Sequence, residues 1–230
     1  MNTVVIHQPD FLPYLGFFHR LLKADCYVVL DTVQFLRGSR SWHHRDRIKT
    51  PEGITWLTIP VQKAAQKTAI SKMRISYEQP WQERHLRQLA HGYRKAPYYG
   101  QIMPVLERLY QQRPEYLAVF TLASIQLLAG LFDIDCPQIM ASDLEVCGSG
   151  NELLANILSV VGATHYLSGI GAKTYFSPES YQQAGVEVVW QQFEHPVYPQ
   201  LHGDFEAFLS SIDLLFNCGI DAARKILRGI

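Results

Sequence analysis

The apolar runs of this chain are short and end on polar residues. Val4-Val5-Ile6 stops at His7-Gln8-Pro9, and Tyr27-Val28-Val29-Leu30 stops at Asp31. Runs of that length, bounded by turn residues, read as buried strands. Between them Leu15, Phe18, Leu21 and Leu22 recur at helical spacing through Lys23, and Pro13 suits a first helical turn, where its missing N–H does no harm. Residues 3–7 and 26–30 are therefore expected as parallel strands joined by a right-handed helical crossover. The alternation resumes late in the chain: a strand at Gln138-Ile139-Met140, a helix over 151–161, a strand over 164–167, a helix over 178–184 and a strand over 186–190. Helices over 204–212 and 221–228 close it.

The middle has another rhythm. Turn signals at Arg37-Gly38-Ser39 and Pro51-Glu52-Gly53 flank alternating residues, and Trp56 to Ile59 reads as a strand. The pattern predicts a β-hairpin insertion over about 35–76, with a third short strand at Met73-Arg74-Ile75. Three helices follow, at about 79–95, 99–112 and 114–131, punctuated by Pro97, Pro104 and Pro114. The fold class expected is α/β: a mostly parallel Rossmann-like sheet covered on both faces, with a β-hairpin insertion and a helical segment, in a single domain over 1–230.

Composition narrows the class. Hydrophobic residues make up 47% and charged ones 18%, enough for a packed core. No apolar run reaches a membrane span, and the N-terminus lacks the basic region and long apolar stretch of a signal peptide, so a cytoplasmic protein is expected. Cys26, Cys136, Cys147 and Cys218 form no CxxC pair, so no metal site is assigned and the thiols are expected reduced and mostly buried. His43-His44 do not change this, because adjacent residues on a strand point to opposite faces. Net charge is zero but uneven: residues 1–113 hold 17 Lys/Arg against 8 Asp/Glu, and residues 114–230 hold 4 against 13. A basic half attracts a phosphorylated ligand and an acidic half an amine, while a homodimer contact would leave the same pattern.

Ligands of open parallel sheets bind beyond the carboxyl ends of the strands. Those ends are His7-Gln8, Asp31 with Gln34 nearby, Ser142-Asp143, Ser168-Gly169-Ile170-Gly171, and Gln191-Gln192 leading to Glu194 and His195. In the fourth, Ser168, Gly169 and Gly171 with Lys173 suit an anion, although neither phosphate-loop pattern is present. Phosphate could also sit at the N-terminus of the helix beginning near Pro13. The basic stretch 37–49 offers Arg37, Arg40, Arg45, Arg47 and Lys49 to a diphosphate and Trp42 to a base or sugar, and a short RNA contact has the same ingredients. The turn-rich stretch 195–205 carries His195, Tyr198 and Gln200. Catalytic candidates are His7 and His195 as proton acceptors and Asp31 (or Asp143) to orient an amine, and ligand-contacting candidates are Gln8, Gln34, Trp42, His44, Arg45, Lys49, Ser168, Gly169, Gly171, Lys173, Tyr198 and Gln200.

The stretches HQPDFLPYLGFF, ADCYVVLDTVQF, SWHHRDRIKTPEGITWLTIPV, GYRKAPYY, GATHYLSGIGAKTYF, HPVYPQLHGDF and SIDLLFNCG resemble, in order and along nearly the whole chain, the WbqC-like family. That family's hairpin usually reads Trp-x-Asn-Arg-Asn, where this chain has Trp42-His43-His44-Arg45-Asp46, so a role needing neutral amides at positions 44 and 46 does not carry over. The resemblance implies a transferase of surface-polysaccharide (O-antigen) synthesis that moves a glycine-like acyl or aminoacyl group onto the amine of a nucleotide-linked amino sugar. It leaves the activation open, with ATP or an activated aminoacyl donor as the expected cofactor. A nucleotide-sugar-like small molecule is the expected partner, and tRNA enters only as a donor. The opening β-α-β also resembles the HUP-type nucleotidyltransferases and class I synthetases, yet Tyr14-Leu15-Gly16-Phe17 stands where they carry His-x-Gly-His. The rival classes are a non-catalytic nucleotide- or RNA-binding module and a partner-organising protein docking through the apolar helix 114–131.

Overall fold

The computed structural model describes residues 1–38 and 41–230, which fall into two compact units, each assembled from three stretches of chain. The first unit comprises Met1–Gln8, His19–Thr32 and Asp135–Glu194. Its strands are β1 (Thr3–His7), β2 (Cys26–Val29), β5 (Gln138–Met140), β6 (His165–Ser168) and β7 (Glu187–Trp190), in one all-parallel sheet ordered β5-β2-β1-β6-β7. β1 is central because Val4, Val5 and Ile6 are apolar on both faces and all three are buried. Helices α5 (Gly150–Val160) and α6 (Pro178–Gln183) connect β5 to β6 and β6 to β7, and Ala155, Ile157, Leu158 and Tyr181 pack with Val4, Ile6, Val28 and Tyr166 in one core. The strand order reverses at β1, the place where open sheets hold ligands.

The two ladders of β1 differ in length. Toward β2 the pairing runs from Val4↔Cys26 to His7↔Val29. Toward β6 it holds only Thr3↔His165 and Val4↔Tyr166. Past Val4, β1 and β6 part at their carboxyl ends, and β6 goes on pairing with β7 through Ser168↔Trp190.

The second unit comprises Pro9–Phe18, Val33–Ile134 and His195–Ile230. A hairpin of β3 (Arg45–Thr50) and β4 (Gly53–Thr58) turns through Gly53, whose φ of 115° a side chain would resist. Helices α2 (Trp81–Tyr93), α3 (Tyr99–Tyr110), α4 (Leu117–Leu131) and α7 (Ile212–Arg228) build the rest, and α1 (Leu15–Leu21) begins in this unit and ends in the first. The core is aromatic: Trp81 meets Phe120 edge-on at 5.3 Å and 89°, and His85 at 5.2 Å. His85 is buried, donates from Nε2 to the Thr58 carbonyl at 3.0 Å and accepts from the Tyr110 hydroxyl at 3.1 Å.

Four expectations need correction. Met73 to Ile75 is not a strand: Arg74 and Ile75 make isolated bridges to Tyr116 and Val61, and the preceding Ile70–Lys72 is a 3-10 turn. Its backbone is spent singly, since the Ile75 N–H bonds the Glu115 carbonyl and Met73 accepts from Leu117. Residues 204–212 are not a helix. Phe208 has φ of 59°, and Ser210 donates its N–H to the Arg47 carbonyl and its hydroxyl to that of Leu12. The helix begins instead at Ile212 and breaks at Gly219 (φ 77°), where a Cβ would lie 2.5 Å from the Tyr98 ring. Pro104 lies inside α3 rather than bounding it. The cysteines are free, but Cys147 is exposed and the other three are half-buried. Among the described residues no helix is long and apolar enough to cross a membrane.

Burial lowers the His85 pKa to about 4 and keeps the ring neutral. Below an unfolded value near 6.5 the unfolded chain takes a proton that the folded protein refuses, so the stability His85 contributes is complete above that pH and is lost as pH falls toward about 4. Melting curves should show a shallower fall between those pH values for His85→Gln than for the parent protein, and equal slopes would refute the assignment.

Candidate functional site

The carboxyl edge of the parallel sheet gathers the first unit's candidates. His7 ends β1, half-buried, with Nδ1 2.9 Å from the Gln8 carbonyl. The Tyr27 hydroxyl donates to the His7 carbonyl at 3.2 Å and fixes this corner. Asp31, 1% exposed, accepts the Ser142 N–H at 2.9 Å through Oδ1, while Oδ2 has no hydrogen-bond partner. Ser168 is buried, and the Gln191 N–H bonds its carbonyl at 2.8 Å. Gln191 in turn bonds His19 at 3.2 Å, whose pKa burial lowers to about 4, with Lys23 and Arg20 adding to the effect. Gly171 and Lys173 belong to the following 3-10 segment Ile170–Tyr175, and Lys173 rests over the Trp190 ring at 5.3 Å.

Arg20 was not among the candidates, and it occupies this edge. It is 5% exposed, and its Nε and Nη2 are enclosed without any hydrogen-bond partner. Its Nη1 abuts Gly169: a Cβ there would lie 2.5 Å away. Its position in the last turn of α1 gave no signal, because a lone arginine in a helical pattern reads as a solvated residue.

The second unit presents the hairpin. Strand alternation turns Asp46, Ile48 and Leu57 inward, all buried, and turns Arg45, Arg47, Ile54 and Trp56 outward. Trp42 and Trp56 are 36% and 37% exposed, with ring centroids 5.4 Å apart. Arg45 lies 4.3 Å over Trp56, and Arg47 lies 5.6 and 5.9 Å from the two rings. Arg37 donates to the Gln62 carbonyl, Arg45 to those of Ser41 and Gly38, and Arg47 to that of Phe208. Arg40 lies outside the described residues. Beside this face Phe208 is 53% exposed and carries the His195 ring edge-on at 5.2 Å. Burial lowers the His195 pKa, opposed by its bond to the Pro196 carbonyl. His44 bonds Ser41 at 3.1 Å and is held neutral, its pKa lowered to about 4 by burial and neighbouring cations, and Gln34 bonds the Gln66 carbonyl at 2.6 Å.

Lys49, Tyr198 and Gln200 meet in a buried network around Asp213, which falls between the two helices expected there and was not among the candidates. Asp213 accepts from the hydroxyls of Tyr93 and Tyr198 at 2.9 Å each and from Gln200 at 2.8 Å. Burial raises its pKa and these three donors pull it back. Lys49, 4% exposed, donates to Gln200 at 3.3 Å and to the carbonyls of Gly203 and Asp204. Also unforeseen is Asp46: its carboxyl is pushed well up by burial, against the Arg47 N–H at 2.6 Å and with the Asp10 charge assisting. His43 Nδ1 lies 3.3 Å from Asp10, without hydrogen-bond alignment. Among the described residues no group of three His, Cys, Asp or Glu is placed to hold a metal.

The model of the WbqC-like protein family matches residues 8–225, and the chain belongs to that family. It is also similar to "Uncharacterized protein Rv1507c" of Mycobacterium tuberculosis (strain ATCC 25618 / H37Rv), 28% identical over 224 residues that cover 96% of each chain. No solved structure matches.

Asp213→Ala leaves two tyrosine hydroxyls and an amide without their acceptor, so urea unfolding should show a loss of roughly 2–4 kcal/mol. Tyr198→Phe, which removes one donor and leaves the carboxylate two, should cost about 1 kcal/mol. A wild-type midpoint for Asp213→Ala would show the network to be idle.

Proposed function

With that membership as premise, we propose that the protein is a transferase of surface-polysaccharide (O-antigen) synthesis, moving a glycine-like acyl or aminoacyl group onto the amine of a nucleotide-linked amino sugar. The observation that carries this reading is the outward face of the hairpin. Two part-exposed indoles beside Arg37, Arg45 and Arg47, which donate to backbone carbonyls, suit the flat base and the diphosphate of one nucleotide. A nucleoside diphosphate stacks on Trp42 and Trp56 and draws its oxygens to the guanidinium groups.

The chemistry needs a proton acceptor. As the amine nitrogen attacks the acyl carbon, the bond from that carbon to its carrier breaks, the carrier leaves with the bonding pair, and one amine proton must go. His195, beside the hairpin through Phe208, is neutral at pH 7 because burial lowers its pKa, and it takes that proton. His7, with Asp31 or Asp143 to orient the amine, is the corresponding set on the first unit. Lys49, Tyr198 and Gln200 hold the stretch that follows His195 in place. The same hairpin face suits single-stranded RNA; binding that falls steeply with salt and is accompanied by no turnover would favour a module that only binds.

Isothermal titration against a panel of uridine- and thymidine-diphosphate amino sugars tests the reading. Binding is expected, and Trp56→Ala or Arg45→Gln should weaken it about tenfold or more. Absence of binding to every nucleoside diphosphate sinks the proposal. Once a substrate is found, His195→Gln should lower kcat roughly 100-fold or more with KM for the nucleotide sugar little changed. The acid limb of kcat/KM should fall below the ordinary histidine range near 6.5, since a lowered pKa keeps the base neutral to lower pH.

A further inference from the structure

We infer that Arg20 is the receptor of a second, small anionic ligand, a phosphate or a carboxylate, taken at the carboxyl edge of the sheet where β1 and β6 part. Three observations converge. A guanidinium stays charged at any pH a protein survives, and burying it without acceptors is costly. Arg20 is nevertheless 95% buried by the complement of its 5% exposure, with Nε and Nη2 unpartnered. The unit around it holds nine Asp/Glu (25, 31, 135, 143, 145, 152, 179, 187, 194) against three Lys/Arg (20, 23, 173), yet no acidic oxygen bonds either of those nitrogens. A structural arginine in so acidic a unit would have been given a carboxylate.

The place is also right. The β1–β6 ladder stops at Val4↔Tyr166, and β6 ends at Ser168 beside the Arg20 head group. Nη1, the guanidinium nitrogen that is not among the enclosed ones, lies against Gly169, in the space that a side chain there would fill. An anion arriving there meets Nη1 first and draws the guanidinium outward, which gives Nη2 its acceptor. Ser168, which ends β6, Gly169 after it, and Gln191, whose amide bonds His19, belong to the same edge. A group-transfer enzyme needs a donor as well as an acceptor, and an acyl phosphate, a phosphorylated carrier or a free carboxylate each present the oxygens that Arg20 lacks. The inference does not depend on nucleotide binding at the hairpin.

Thermal shift of the full chain tests it, with inorganic phosphate and acetate as separate probes at millimolar concentration. One of the two is expected to raise Tm by roughly 2–4 °C, and which one does so identifies the oxyanion class. Arg20→Met should abolish that shift while leaving the ligand-free Tm equal or higher, because an unpaired buried charge has gone. Gly169→Val keeps Arg20 but crowds Nη1, and should weaken the response about tenfold; it decides the matter if Arg20→Met does not fold. Arg45→Gln, which disables the hairpin, should keep the shift in full. A shift lost in Arg45→Gln but kept in Arg20→Met, a wild-type response in Gly169→Val, or no response of the parent protein to either probe overturns the inference. Nucleotide-sugar binding that survives in Arg20→Met leaves the hairpin reading standing, and an Arg20-dependent shift without nucleotide binding leaves this one.

Discussion

The unequal pairing of β1 is the constraint on which the first unit depends. A central strand must bond on both sides, and β1 does so fully with β2, from Val4↔Cys26 to His7↔Val29. With β6 it shares only its first two residues. Each unpaired backbone group beyond Val4 has to find water, a side chain or a ligand, because leaving it dry would be costly. That shortfall lies at the place where the strand order reverses. The polar strand ends, His7-Gln8, Ser168-Gly169 and Gln191, answer the same demand, since apolar side chains supply no hydrogen bonds.

The second unit solves a different problem: how to hold a long irregular return, residues 195–211, without regular structure. Its answer is one carboxylate. Asp213 gathers Tyr93, Tyr198 and Gln200, Gln200 passes the connection to Lys49, and Lys49 closes on the Gly203 and Asp204 carbonyls. Three donors offset the desolvation of the carboxylate, and three acceptors offset that of the ammonium. The stretch that carries His195 is thus fixed by charge-assisted bonds rather than by a helix, and a hydrophobic pattern cannot foresee that.

Much of the fold was legible because period and burial coincide. The strands over 3–7, 138–140 and 186–190 and the helices over 79–131 appear within a few residues of their expected bounds, although only β1 among these strands is buried at its apolar residues; β5 and β7 lie at the sheet's edges and stay part-exposed. The failures share one cause. Met73-Arg74-Ile75 has a strand's composition and Phe208 to Ile212 a helix's, but their backbone groups are claimed by single bonds to Glu115, Leu117, Arg47 and Leu12. Only a tertiary neighbour decides such cases. The strand-end rule found the sheet's carboxyl edge without alignment. It could not find Arg20, because Arg20 comes to that edge from α1.

Lys49 and Arg20 pose the same physical question and receive opposite answers. Both are cations with 5% exposure or less in a unit that also holds carboxylates. Lys49 has every one of its donors directed at an oxygen, so its burial is balanced and its role is to hold the chain. Arg20 has a rigid fork that is made for two oxygens and finds none at Nε or Nη2. Selection for stability alone would replace such a group with methionine or leucine, which fill the same volume without an unpaired charge. Keeping it means that the unfavourable burial is offset by something other than folding, and an anion bound in the working protein is the offset that a fork beside a side-chain-free residue can accept.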